Sequence, residues 1–141
     1  MKRTILVASL TFFATAILMN FGTKHVLQAA PTNRKGLSHD VFFSLKDKSP
    51  EAKKTLLEGC KRYLVDHPGV LFFSVGTLTP GLNRPVNDRD FDVALHIVFA
   101  DQAAHDAYQV SKLHTDFVQA QRDTLEKVRV FDSDVEIVPV K

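Results

Sequence analysis

Hydrophobic and polar residues alternate along several stretches of this chain, and the period of the alternation predicts the elements. His39, Val41, Phe43 and Leu45 fall on one side of a period-two pattern, with Asp40, Phe42 and Ser44 on the other, which predicts a strand with one face turned to a core. Ser49-Pro50-Glu51 follows: a serine able to cap free amides, a proline suited to the first turn and a glutamate at the positive end of the helix dipole. From there to about Asp66, Ala52, Leu56, Leu57, Cys60, Tyr63 and Leu64 recur every three or four residues, leaving Lys53, Lys54, Glu58, Lys61 and Arg62 for solvent. His67-Pro68-Gly69 stops that helix.

A second strand is predicted over Val70–Thr77, running into the turn signal Thr79-Pro80-Gly81. The polar, turn-forming stretch that continues to Arg89 is long for a compact domain, which predicts a rim or lid. Phe91, Val93, Leu95, Ile97 and Phe99 then alternate with Asp92, Ala94, His96 and Val98 as a third strand, and Asp101 caps the next helix. That helix carries Ala104, Ala107 and Tyr108, breaks near Ser111, and resumes around Thr115 with Phe117, Val118, Gln121, Leu125 and Val128 along one side, His114 among them. Arg129–Val135 is the last strand.

The order strand, helix, strand, strand, helix, strand predicts an α+β fold: a ferredoxin-like βαββαβ sandwich, a four-stranded antiparallel sheet with helices on one face. The other face still presents Phe42, Phe72, Ala94 and Val98, and a second copy packed sheet to sheet would bury them, closing a dimeric α+β barrel. A homodimer is therefore expected.

The N-terminus changes the picture of where the domain works. Met1-Lys2-Arg3 is followed by Thr4–Gly22 without a charge, a basic start and a hydrophobic run that predict export. As a helix the run would be about 29 Å long, close to the thickness of a bilayer core, so cleavage near Ala29-Ala30 and retention as a membrane anchor both stay open. Residues 1–30 are thus read as signal peptide or anchor, 31–37 as linker, 38–135 as the domain and 136–141 as a tail. The expected location is periplasmic or extracellular, or membrane-anchored outside the cytoplasm.

The whole chain carries 18 basic and 16 acidic residues, but Lys2, Arg3 and Lys24 belong to the leader, which leaves 15 basic against 16 acidic. A near-neutral domain lacks the electrostatic footprint of a nucleic-acid binder. The single cysteine, Cys60, excludes an intrachain disulfide and reads as a buried, inert thiol. Of the histidines, His67 reads as a helix stop, His96 as an interface residue and His105 as exposed. None shows zinc-type spacing with a carboxylate or thiolate, so no metal and no cofactor are expected. Phosphate-cradling glycine loops and a nucleophile elbow are also absent.

Tyr108 and His114, separated by a break in the helix, form either a packed, hydrogen-bonded pair or two polar groups at the end of an apolar cavity, where acid/base chemistry is placed. Taken with His39-Asp40-Val41-Phe42-Phe43-Ser44-Leu45, Pro68-Gly69-Val70, the Phe91–Phe99 strand and Val130-Phe131-Asp132, they resemble the stress-responsive dimeric α/β-barrel family over about residues 38–135. Most of that family has no defined reaction; its better understood members are stress-induced oligomeric proteins and cofactor-free plant polyketide cyclases.

The cyclase resemblance puts the strand-one histidine at His39, the helix tyrosine at Tyr108 and the catalytic histidine at His114. Val93 stands where a further strand-three histidine occurs, and the frequent His-Pro-X-His sequence is here Ser111-Lys112-Leu113-His114. The implied roles are a neutral His114 as proton acceptor, Tyr108 as donor to a substrate carbonyl and His39 as an orienting group. The leading expectation is an exported homodimer binding an apolar or aromatic small molecule. A cofactor-free acid/base enzyme, cyclase-like, isomerase or monooxygenase-like, is the alternative.

Overall fold

The computed structural model describes residues 34–138. The expected leader, with its Thr4–Gly22 run and Ala29-Ala30, lies outside them, as do the first residues of the expected linker and the end of the tail. Four strands, β1 (Arg34–Leu45), β2 (Val70–Thr77), β3 (Val93–Phe99) and β4 (Leu125–Ile137), and three helices, α1 (Pro50–Leu64), α2 (Gln102–Gln109) and α3 (Lys112–Gln121), follow the expected order, the second helix being split. The sheet is antiparallel in the order β2-β3-β1-β4. Among the described residues no helix is long and apolar enough to cross a membrane.

Register explains the two faces. Val41 opposes Leu95 on one side and Val130 on the other, and Phe43 opposes Val93 and Val128, so these side chains share the face turned to the helices. Phe42 opposes Ala94 and Arg129, and Asp40 opposes His96 and Phe131, on the face turned away. Leu56, Cys60 and Leu64 of α1 close over the first face with Leu45, Ile97 and Phe99 in one buried cluster. Burial pushes the Cys60 thiol up to about 12, which keeps it protonated and unreactive as expected.

The α1 N-terminus is built as its sequence predicts, Ser49 accepting from the Ala52 amide at 3.2 Å. At the other end Gly69 takes a positive φ of 84°, and a Cβ there would stand 2.4 Å from the Ala104 methyl, so a glycine is required where α2 approaches the chain.

Four readings are corrected. The strand expected from about Ser38 begins at Arg34, inside the expected 31–37 linker, and Arg34–Leu37 pair with Ile137–Asp134, so β4 also runs into the expected 136–141 tail. Gly36, read as a linker residue, is needed there because a Cβ would lie 2.8 Å from the Phe99 carbonyl oxygen. The second part of the split helix starts at Lys112, not Thr115, since Ser111 caps it by accepting from the His114 amide at 3.1 Å. It also stops at Gln121: the Thr124 hydroxyl donates to the Gln121 carbonyl at 2.8 Å, and Leu125 and Val128, whose spacing suited a helix, belong to β4.

The fourth correction concerns Phe91 and Asp92. Strict alternation puts Phe91 on the core face, yet β3 begins only at Val93 and the Phe91 ring packs edge-on against Phe42 at 5.1 Å, on the opposite face. Asp92 takes the inner place. Its carboxylate accepts from the Leu45 amide at 2.9 Å and pairs with Lys53 at 3.0 Å, so Lys53 is not simply solvated.

Candidate functional site

The helices cover β2, β3 and β1, while the inner face of edge strand β4 is left partly open, with Val128 45% and Val130 48% exposed. A cavity of about 480 Å³ results between β4 and α3, walled by Val41, Phe43, Phe117, Val118, Val128 and Val130. His39, Tyr108, His114 and Asp132 stand together on its lining. All three residues singled out in the sequence are therefore brought together, each from a different element: β1, the last turn of α2 and the first turn of α3.

The helix break makes the Tyr108–His114 juxtaposition. With α2 ending at Gln109 and α3 capped afresh by Ser111, the two rings stand 4.6 Å apart at 55°. His114 is half-buried, and its Nδ1–H donates to the Gln109 carbonyl at 3.0 Å, which leaves Nε2 as an acceptor. Burial holds the His114 pKa below its usual value, and His39, His67 and His105 nearby add to the effect, while the Gln109 bond opposes it. The imidazole is thus neutral at neutral pH. Burial, with the Cys60 thiol adding to it, raises the Tyr108 hydroxyl, which stays protonated and able to donate.

His39 is buried and directly opposite Asp132 in the β1–β4 ladder, and its Nδ1–H donates to Asp132 Oδ1 at 2.7 Å. The carboxylate fixes the ring and leaves Nε2 free. Asp132, noted in the sequence only as part of a strand motif, is a member of this cluster that sequence reasoning left out. Pairing the last strand with the first, so that Val130 opposes Val41, is the signal that would have found it.

Two further histidines join this cluster. The His67 ring, expected only as a helix stop, donates from Nε2 to the Tyr63 carbonyl at 3.0 Å at the α1 terminus, and it also meets Tyr108 edge-on at 4.8 Å. His105, expected to be exposed, has a side chain only 15% accessible, packed 5.2 Å from His39 and 5.5 Å from Phe99. The helical position alone suggested solvent; packing against His39 of β1 and Phe99 of β3 covers it. One ligating atom each from His39, His105 and Asp132 lies within 4.8 Å of the others, a cluster that residue spacing did not reveal.

The long loop does not border this cavity. Its Asp88, with Phe91 just beyond it, instead edges a second hollow, about 520 Å³, on the outer face with Asp40, Phe42, His96, Arg129 and Phe131. There His96 bonds Asp40 at 2.6 Å, and Arg129 pairs with Asp88 and lies over the Phe42 ring at 5.9 Å. The expected rim is thus a rim to the other side of the sheet.

One-sided helical cover, this strand order and a cavity lined in part by imidazole and phenol define an α+β protein of ferredoxin-like fold. The chain belongs to the Stress responsive A/B Barrel Domain family, whose sequence pattern matches residues 37–135. Among solved structures, a Dabb family protein with a ferredoxin-like fold from Mesorhizobium loti is similar at 27% identity and a TM-score of 0.58, over 77% of this chain and 100% of that one. A dimeric ferredoxin-like protein of unknown function from Thermobifida fusca shares 16% identity at a TM-score of 0.60, over 72% and 92%. A hydroxynitrile lyase from Passiflora edulis shares 20% at 0.58, over 72% and 94%, a likeness of fold. No curated protein matches the chain in sequence.

Proposed function

We propose that this protein is an exported homodimer that binds an apolar or aromatic small molecule in the cavity between β4 and α3. The observation that carries the reading is the composition of that cavity: seven apolar residues, with His39, Tyr108, His114 and Asp132 clustered beside them and Arg122, Glu126 and Lys127 also on the lining, in a volume suited to a small ligand. Aromatic carbonyl compounds fit such a site, ring against Phe117 and the valines, oxygen towards Tyr108 and His114. Titration of the purified protein with a panel of them, followed by calorimetry, tests it. Saturable binding, lost in Val130→Trp, is the expected result; binding that survives with the cavity filled, or none across the panel, contradicts it.

Dimerisation is supported by the outer face, where Phe72 and Phe131 are each 54% exposed, and by relatives described as dimeric. Export, by cleavage or with an anchor, is supported by the basic start and the Thr4–Gly22 run; N-terminal sequencing of the protein recovered from outside the cytoplasm decides between the two.

A second reading, a cofactor-free acid/base enzyme, is favoured by the neutral His114 with Nε2 unprotonated beside a protonated Tyr108. His114 Nε2 would take a proton from the carbon next to a carbonyl, the electron pair would move to the oxygen, and the Tyr108 hydroxyl would stabilise the resulting enolate, with His39 orienting the substrate. Ring closure or reprotonation would complete a cyclase-like or isomerase reaction. For a substrate that turns over, His114→Ala should slow it about 100-fold or more. Unchanged turnover would remove His114 from the mechanism.

A further inference from the structure

We propose that His39, His105 and Asp132 form a binding site for a divalent transition-metal ion, of the zinc or cobalt type, beside the cavity that His39 and Asp132 line. Two imidazoles and one carboxylate are a donor set that such ions take, with coordination positions left over for water or a ligand. The three donors come from β1, α2 and β4, and one atom of each lies within 4.8 Å of the others. Donors around a single ion sit about 3–4 Å apart at metal–ligand distances near 2.1 Å. The existing arrangement therefore needs only a small adjustment: the 2.7 Å His39–Asp132 pair opens slightly and any donor separation near the 4.8 Å limit closes.

The site is held from outside as such sites are. His39 is buried, and its place opposite Asp132 is set by the β1–β4 ladder rather than by the side chains alone. The proton now shared between His39 Nδ1 and Asp132 Oδ1, 2.7 Å apart, is the natural place for a cation to enter. His105 packs on Phe99, and its two ring nitrogens face Asp106 at 3.2 Å and the Gln109 amide at 3.0 Å. An ion would displace one of these and leave the other to hold the ring, the outer-sphere arrangement common to metal-bound histidines. Asp132 keeps 49% of its side chain accessible, which gives the ion a route in and room for water. His96 and Asp40, 2.6 Å apart on the outer face, are a pair of the same chemistry without a third donor among the described residues, and serve as the control.

The test uses the full chain, stripped with a chelator and titrated with Co²⁺ by its visible absorption and with Zn²⁺ by calorimetry. One ion per chain is expected, with a rise in melting temperature on loading. His105→Asn and Asp132→Asn should each weaken binding by at least about 100-fold, the upper range for losing even an outer-sphere partner, and abolish the melting shift. His96→Gln should bind as the parent does. Circular dichroism of each variant reads folding separately. Absence of saturable one-to-one binding by the folded parent, or undiminished binding by folded His105→Asn, would overturn the assignment.

Discussion

His114 carries an acid dependence that its neighbours impose. Its folded pKa is depressed, chiefly by burial, so the unfolded chain binds the proton more readily than the native one. The neutral form's contribution to stability is complete above the ordinary histidine value of about 6.5 and is lost as pH falls through the lower folded value. Urea unfolding followed from pH 8 to pH 5 should therefore show a shallower loss of stability in His114→Gln than in the parent; parallel curves would mean the ring titrates freely. His39, Tyr108 and His114 were legible in the sequence because the family pattern fixes their places. His67, His105 and Asp132 were not legible as site residues, because Tyr108, which His67 meets, and His39, which His105 and Asp132 meet, lie far away in the chain and become neighbours only through register and helix placement.

Elements were legible where one period dominated. β1 reads as a strand because its inward positions are apolar apart from His39, and α1 because its cap, proline and apolar stripe agree. The α3–β4 boundary did not, since Leu125 and Val128 satisfy a helical spacing from Phe117 and Gln121 as well as a strand facing β1. Thr124 decides between them through its bond to the Gln121 carbonyl. Similarly, Asp92 breaks the β3 alternation because its carboxylate ties β1 to α1. Burial works against its ionisation, but the Leu45 amide and Lys53 outweigh this and lower its pKa, so this contribution is present above about pH 4 and is lost on further acidification. Asp92→Ala leaves a buried amide unpaired and should cost about 2–3 kcal/mol at pH 7, with a smaller difference from the parent at pH 3. An equal difference at both pH values would show that packing, not charge, is responsible.

At the scale of the molecule, the sheet has an inner face shared by core and cavity, and an outer face with Phe72, Phe131 and the Phe42–Phe91 pair. In the proposed dimer these aromatics pack against a second copy, and Phe72→Glu or Phe131→Glu should raise the dissociation constant at least about 30-fold, the loss of one aromatic anchor worth about 2 kcal/mol. Sedimentation at micromolar concentration reads this directly, and a monomeric parent would remove the dimer from the account. The division of labour between faces also gives the most direct test of the cavity as a ligand site: a methyl chemical-shift titration with aromatic carbonyl compounds. Saturable shifts at Val41, Val128 and Val130, with Val98 on the outer face unmoved, are expected. Shifts confined to Val98 and its surroundings, or none that saturate, would contradict the claim that this protein binds its ligand between β4 and α3.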